Sequence, residues 1–206
     1  AHRIALGMVV IGVLLVTVDT FRRTRTDVVP ELDPAQQRWL DGVLRRNRAR
    51  ADWIVVQGHV PVAQPVRRTS SSGLSYRGGT RSAFWRTMAR YGVDLYLHGE
   101  VHDNTVLRRN GITQISHGGR LADRSGNGVG NQSFLVADVD GDEMSLRLRR
   151  FRPTSTSGRE LWQTIVPQRP AYGLTIGVDP PCLGTMTLTA DNRLRSSSVA
   201  LTPRRR

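Results

Sequence analysis

Lysine is absent from this chain of 206 residues, and its 30 basic residues are all arginine. The single cysteine, Cys182, excludes a disulfide within the chain, and cysteine usage therefore leaves the compartment undetermined. Aromatic residues make up only 6%, whereas there are 20 glycines. This composition favours strands and turns over a helical bundle. Hydrophobic residues, at 38%, suffice for a packed core.

A hydrophobic run long enough to span a membrane is also lacking. The apolar stretch Ile4 to Val18 falls short of the roughly 18–20 residues that a spanning helix needs. The residues that follow it, Asp19 to Arg22, are not the small residues of a signal-peptide cleavage site. Since valine and isoleucine dominate the run, we predict one or two buried strands, with a signal-peptide core as the alternative, and no membrane span.

The formal net charge of +13 raises the question of an anionic partner such as nucleic acid or a membrane surface. The arginines are spread along the whole chain, however, and include doublets such as Arg45-Arg46 and Arg108-Arg109. Aromatic residues are not interleaved with them as in a base-stacking platform. Binding of polyanions, including nucleic acid, is therefore kept as a disfavoured alternative.

The first two thirds of the chain alternates helices with apolar strands. Asp33-Pro34 is typical of a helix start, because Asp caps free amides and Pro fits the first turn. The elements predicted from periodicity are a helix from Asp33 to near Ala49, strand Trp53 to Val56, a helix from Thr80 or Ser82 to Gly92, and strand Val93 to Leu97. Continuous apolar strands of this kind are buried on both faces, which indicates an α/β layer.

Shorter strands follow, and the last two of the domain portion form a hairpin through Asp140-Gly141. Strands are predicted at Thr105 to Arg108, Ile112 to Ser116, Ser133 to Val139, Glu143 to Phe151, Gly184 to Thr189 and Ser196 to Leu201. We therefore divide the chain into a domain portion at 1–152 and, at 153–206, a linker with a small β extension or tail.

Histidines and a carboxylate come directly after the two buried strands. His59 follows the first strand, whereas His98, Glu100 and His102 follow the second. In an open α/β sheet, sites form in the crevice beyond the carboxyl ends of the strands. The sequence therefore predicts that these side chains meet at one edge of the sheet.

The motifs Gly58-His59-x-Pro61 and, from Val93 to Asp103, Val-Asp-Leu-Tyr-Leu-x-Gly-x-Val-His-Asp resemble the last two metal-binding motifs of the calcineurin-like metallophosphoesterases. Val16 to Thr20 is similar to the core strand of that family, and Gln36 to Leu40 to its following helix. The resemblance covers about residues 8 to 151. It implies an α/β fold: an incomplete metallophosphoesterase-type β-sandwich flanked by helices, with a C-terminal β-rich extension.

In function, the resemblance implies hydrolysis of phosphate mono- or diesters by two divalent metals (Mn, Fe or Zn) about 3.5–4 Å apart that activate a bridging hydroxide. His59 would bind one metal and His102 the other. Glu100 stands where the family has a ligating histidine, and a carboxylate can bind the same metals. No catalytic residue beyond the metal ligands is assigned.

Three further residues are assigned supporting roles. His98, one position earlier on its strand, is predicted to be structural or to support the ligands, with replacement of the lost histidine ligand as the alternative. Asp103 is expected to cap the turn or orient His102. His117 lies in a loop that the family places near the site, and an ordinary loop histidine is the alternative.

The upstream motifs of the family are missing: the sequence contains no Asp-x-His, Gly-Asp-x-x-Asp or Gly-Asn-His. We therefore expect a truncated, cleaved or split protein, whose site is completed by an upstream segment or another chain. Activity of this chain alone is in doubt, and it is left open whether it binds any metal. Two other functions stay open: a non-catalytic remnant acting as a structural or binding subunit, and an arginine-rich polyanion binder.

Overall fold

The fold was analysed in a computed structural model, which describes residues 6–10, 12–66, 73–101, 104–116, 132–151, 182–189 and 194–197. Two α-helices lie in the first half of the chain, at Pro34–Asn47 (α1) and Ala83–Arg90 (α2). Short 3-10 turns follow α1 at Arg48–Arg50 and precede α2 at Gly79–Arg81.

Twelve strands are found in the described part of the chain. The first six are β1 Leu6–Val10, β2 Val13–Thr17, β3 Arg22–Arg23, β4 Val28–Val29, β5 Trp53–Gln57 and β6 Leu95–His98. The remaining six are β7 Thr105–Arg109, β8 Ile112–Ser116, β9 Gln132–Asp140, β10 Glu143–Phe151, β11 Cys182–Thr189 and β12 Leu194–Ser197.

The main sheet has six strands in the order β1-β2-β5-β6-β8-β7. Its four inner strands, β2, β5, β6 and β8, run parallel, whereas β1 and β7 pair antiparallel at the two edges. Parallel strands of one sheet end at the same edge, so the loops that leave β2, β5 and β6 emerge side by side. This mixed sheet confirms the predicted α/β class and the predicted pairing of the two buried strands.

Strand β5 shows how the sheet is buried on both faces. Its four apolar residues are all buried, and their side chains alternate between two cores. Ile54 and Val56 belong to the core that contains Leu40 of α1 and Phe84 of α2. Because successive side chains of a strand point to opposite faces, the other two residues of β5 point away from the helices.

The second core lies between the main sheet and an antiparallel sheet of order β12-β11-β10-β9. Trp53 and Val55 of β5 are clustered there with Leu146 of β10 and Leu188 of β11. The Trp53 indole nitrogen also donates a 3.1 Å hydrogen bond to the carbonyl of Gly141, in the β9–β10 turn. The molecule is thus a β-sandwich with helices on the outer face of its main sheet, as predicted.

Both helices begin at the residues that the sequence indicates. Asp33 caps α1 by accepting a 2.8 Å hydrogen bond from Ala35 N, and Ser82 caps α2 by accepting one of 3.2 Å from Trp85 N. A capping side chain satisfies an amide that has no partner within the helix. Gly92, with φ of 63°, follows the end of α2, where the left-handed conformation favours glycine.

The apolar run near the start of the sequence forms two strands, within the predicted one or two, and their antiparallel pairing as the hairpin β1–β2 was not predicted. Neither helix of the described part is long and apolar enough to span a membrane.

The short β3–β4 pair was not predicted, since two residues in each strand carry no periodicity. Strand β12 starts two residues before its predicted first residue, Ser196. The domain boundary at 152 stays a prediction, and β11, from beyond it, pairs with β10.

A buried carboxylate, Asp94, joins three strands at the opposite edge of the sheet. Its Oδ2 accepts a 2.8 Å hydrogen bond from Ile54 N, and its main chain bonds to Ile54 O and Thr113 N. The residue is only 4% exposed. Burial raises the pKa of Asp94 from 3.8 to about 6, although the Ile54 hydrogen bond and the charges of Arg48 and Arg108 partly oppose this shift.

Replacement of Asp94 by asparagine is expected to remove part of the pH dependence of stability. Between pH 4 and 6, Asp94 holds its proton more tightly in the folded chain, so the free energy of unfolding falls as pH rises, by about 2 kcal/mol in all. The asparagine side chain keeps an acceptor for Ile54 N. Because it does not titrate, the variant lacks this decrease in the free energy of unfolding. Urea unfolding of both proteins at pH 4, 5, 6 and 7 measures the difference, and parallel curves would contradict the expectation.

Candidate active site

The candidate site lies at the carboxyl ends of β5 and β6, which are neighbours in the main sheet. His59 is the second residue after β5, and Glu100 is the second residue after β6. The strands are in register, with Gln57 opposite Leu97, so the two loops leave the sheet at the same height. The observed pairing of β5 with β6 therefore brings His59 and Glu100 to one edge of the sheet, as expected for residues that follow adjacent parallel strands.

His59 and Glu100 are in direct contact. The distance between His59 Nε2 and Glu100 Oε2 is 3.1 Å. Only 6% of the Glu100 side chain is exposed, compared with 50% of the His59 side chain. A carboxylate that is removed from water requires a polar partner, and the imidazole is such a partner. The pair thus presents a buried carboxylate and a solvent-facing imidazole to the same crevice.

The main chain fixes the two loops to each other. The carbonyl oxygen of His59 accepts hydrogen bonds from Gly99 N at 3.2 Å and Glu100 N at 2.9 Å. Ser116, the last residue of β8, donates from Oγ to the carbonyl of Val101 at 2.7 Å. These contacts hold the loop after β6 between β5 and β8, so the position of Glu100 does not depend on its side chain alone.

Residues that follow β2 hold His59 from the other side. Thr20 Oγ1 accepts hydrogen bonds from His59 N at 3.1 Å and Val60 N at 3.3 Å, and Thr20 is 1% exposed. The Phe21 ring lies 5.8 Å from the His59 ring, tilted by 39°. The loop that carries Thr20 and Phe21 is held in turn by Gln36 of α1, which bonds to both the amide and the carbonyl of Asp19.

Two buried side chains anchor the segment after His59. Tyr96 Oη donates to the carbonyl of Val60 at 2.7 Å. Gln114 of β8 accepts from Val62 N at 2.9 Å and Ala63 N at 2.8 Å, and its amide donates to Ala63 O at 3.0 Å. Because these contacts come from both β6 and β8, the backbone around His59 is set before any ligand binds.

The other predicted site residues are only partly described. His98 is the last residue of β6, is 3% exposed, and stacks near the Tyr96 ring with centroids 6.2 Å apart. Its supporting role stays a prediction, as do the metal-binding roles of His59 and Glu100. His102, Asp103 and His117 lie outside the described residues, and their assigned roles also stay predictions.

The donor pair fits a divalent metal in its chemistry. Imidazole nitrogen and carboxylate oxygen are ligands that Zn, Mn and Fe accept. Two such ligands at about 2.1 Å from a common metal would be separated by about 3.0 Å in an octahedral site and about 3.4 Å in a tetrahedral one, and the observed 3.1 Å lies between these values. The same distance is also that of a hydrogen-bonded ion pair. Within the described ranges, no group of three or more His, Cys, Asp and Glu side chains is placed to hold a metal.

Sequence reasoning missed the residues that position His59, namely Thr20, Tyr96 and Gln114. A signal for Thr20 was available, since it follows the end of a third apolar strand, next in the sheet to β5. Gln114 is the single amide in the strand Ile112–Ser116, all of which is buried. An amide in a fully buried strand requires hydrogen-bond partners, and this requirement identifies it as an anchor.

No family model matches the chain, but individual known proteins are similar to it. It is 35% identical over 68 residues to an acid phosphatase of Aspergillus ficuum, a match that covers 32% of this chain and 10% of that protein. The chain therefore spans only a small part of this relative's length.

The solved structures to which the chain is similar include the following two. GAP50, the anchor in the inner membrane complex of Plasmodium, has a TM-score of 0.49 and 15% identity, over 72% of this chain and 49% of that one. A dimetal phosphatase from Danio rerio has a TM-score of 0.43 and 18% identity, over 58% of this chain and 36% of that one. The chain thus covers half or less of each structure.

Proposed function

We propose that this chain forms part of a metal-dependent phosphoesterase that hydrolyses phosphate mono- or diesters. The observation that carries the proposal is the 3.1 Å contact between His59 Nε2 and Glu100 Oε2 at the ends of two adjacent parallel strands. The 35% identity with an acid phosphatase over 68 residues supports the same reaction class.

In the proposed site, His59 and Glu100 are metal ligands, and His102 is the third ligand from this chain. Divalent metals bound there (Mn, Fe or Zn) would supply an activated water and would neutralise charge on the phosphate. The remaining ligands would come from outside this sequence, from an upstream segment or from another chain, because the sequence lacks the corresponding motifs.

The residues of this chain contribute binding and orientation. The buried Glu100 supplies negative charge where solvent screens it little, which strengthens its attraction for a cation. Thr20, Gly99 and the Glu100 amide fix the His59 main chain, and so limit how far the imidazole can move. The Phe21 ring borders the imidazole and shields one side of it from water. These contacts favour a preformed site.

A second candidate function is a non-catalytic remnant of the fold, acting as a structural or binding subunit. The specific observation in its favour is that Glu100 replaces a ligating histidine of the resembled family and is already paired with His59 at 3.1 Å. Such a pair is stable without a metal. Metal binding, measured directly, discriminates between the two functions.

We expect the purified chain to bind Mn²⁺ or Zn²⁺ and to lose about tenfold in affinity when His59 or Glu100 is replaced by alanine. Isothermal titration of each variant with each metal measures this. Asp138→Asn is the matched control, because Asp138 is a carboxylate paired with Arg147 at 2.6 Å on the other sheet. Affinity that is the same in all four proteins would reject the metal site.

The same preparations test catalysis. Because the upstream ligands are absent, hydrolysis of a chromogenic phosphodiester by this chain alone is expected to be slow or undetectable. Hydrolysis is expected to appear when the upstream segment or the other chain that carries those ligands is added. Metal binding without any turnover after that addition would favour the non-catalytic subunit.

A further inference from the structure

An open groove of about 640 Å³ lies where the two helices begin. Its wall includes Arg22, Glu31, Tyr76, Arg77 and Ser82, and its floor includes the apolar side chains of Leu32 and Phe84. Arg22 directly follows Phe21, whose ring lies 5.8 Å from the ring of His59. The groove therefore opens close to the candidate active site but uses a different set of residues.

The charges in this groove sum to a net positive value. Glu31 Oε1 accepts a 2.6 Å hydrogen bond from Arg22 Nε and is also paired with Arg22 Nη2. The second guanidinium, that of Arg77, is 3.7 Å from Glu31 Oε2 and 67% exposed. Two guanidinium groups thus share one carboxylate. Arg77 is the more loosely held of the two and is available to a ligand in the groove.

Two hydroxyl groups also line the groove, those of Tyr76 and Ser82. Tyr76 Oη accepts a 2.6 Å hydrogen bond from Leu32 N, and Ser82 Oγ accepts one of 3.2 Å from Trp85 N. Among the described residues, neither hydroxyl proton has an acceptor. Burial raises the pKa of Tyr76 to about 12, and this hydroxyl therefore keeps its proton.

The helices add to this polarity without creating it. Pro34 begins α1 and Ala83 begins α2, and both residues line the groove. The Asp33 carboxylate offsets the partial positive charge at the start of α1, whereas α2 has no acidic residue in its first turn. Apart from Glu31, the charged side chains of the wall are two guanidinium groups.

We propose that this groove binds a phosphoryl group. The guanidinium groups of Arg22 and Arg77 match the oxygens of a phosphate, and together with Glu31 they leave the groove a net positive charge, which disfavours a cation. The source can be free inorganic phosphate or the phosphate of an organic ester. The proposal goes beyond the metal-dependent site and does not require it.

Isothermal titration of the full chain in metal-free buffer, with inorganic phosphate and with glycerol 3-phosphate, tests this assignment. Arg77→Ala is expected to weaken binding of either anion about tenfold, because a charge-assisted contact is lost. Arg90→Ala is the matched control: Arg90 is 70% exposed and lies 3.9 Å from Asp41, near the other end of α2. This control should bind as the wild type does.

Two further variants test the assignment independently, because neither is expected to weaken binding. Glu31→Gln removes the negative charge and should tighten binding about threefold, whereas a purely structural role for Glu31 would predict weaker binding. His59→Ala should leave binding unchanged, which separates the groove from the candidate metal site. Tighter binding of the ester would identify an organic phosphate as the ligand, and equal or weaker binding would identify free phosphate.

The assignment would be overturned by any of four results. These are no binding of either anion at millimolar concentration, equal affinity in wild type and Arg77→Ala, weaker binding by Glu31→Gln, and loss of binding in His59→Ala. The last result would place the anion at His59 and Glu100 instead, and would leave the proposed phosphoesterase function standing.

Discussion

Gly58→Ala is expected to lower the free energy of unfolding by about 3 kcal/mol, because there is no room for a methyl group at this position. A Cβ atom on Gly58 would lie 2.5 Å from Thr20 Cγ2 and 2.8 Å from Tyr96 Oη. Both neighbours are buried, and both hold the segment around His59 through hydrogen bonds to its main chain. Relief of the clash would therefore break an anchor of the candidate site.

Urea unfolding measures this loss, and Gly99→Ala is the matched control from the same crevice. A Cβ atom on Gly99 would meet its nearest neighbour, His59 Nδ1, at 3.6 Å, which is an ordinary van der Waals distance. We expect this variant to change stability by less than about 0.5 kcal/mol. Equal losses in the two variants would show that close packing around Gly58 is not what excludes a side chain there.

Gln114→Leu is expected to lower the free energy of unfolding by about 4 kcal/mol, which is the largest effect predicted here for a single substitution. Leucine fills a similar volume but satisfies none of the three main-chain groups that Gln114 contacts at Val62 and Ala63. These two residues are at most 1% exposed. Water is therefore unavailable as a substitute partner, and the full penalty of unsatisfied buried groups applies.

Gln57→Leu is a suitable comparison in the same sheet. Gln57 is half-buried and makes a side-chain hydrogen bond to Thr17 Oγ1 at 2.7 Å. Solvent can replace that bond, so a loss below about 1 kcal/mol is expected. Denaturant midpoints of the two variants give the comparison directly. If Gln114→Leu lowered the free energy of unfolding no more than Gln57→Leu does, the Gln114 amide would not be the anchor that its contacts indicate.

Much of the fold was predictable from local patterns. The apolar run from Trp53 to Val56 predicted a strand buried on both faces, and each face of β5 does meet a different core. Asp33-Pro34 predicted the start of α1, and Ser82, one of two predicted starts for the second helix beside Thr80, is the N-cap of α2. The pairing of β11 with β10 was not predictable, because 30 residues separate Phe151 from Cys182 and no local pattern specifies pairing across such a distance.

The candidate site was predictable only in part, for a related reason. A single topological rule placed His59 and Glu100 together, since both follow adjacent parallel strands. The residues that hold His59 in place are far from it in sequence: Thr20 is 39 residues away, and Gln114 contacts a loop 51 residues before it. Such long-range hydrogen bonds depend on the assembled sheet, and no short motif records them.

The position of β11 has a consequence for how this chain is synthesised. The face of the main sheet that carries Trp53 and Val55 packs against Met186 and Leu188, which are translated after all the other residues of that core. At about 5–20 residues per second, roughly 2–8 seconds pass between synthesis of Leu146 and of Met186. During that interval the apolar core of the nascent chain lacks the part of its cover that β11 supplies, and exposed apolar surface of this kind is prone to aggregation.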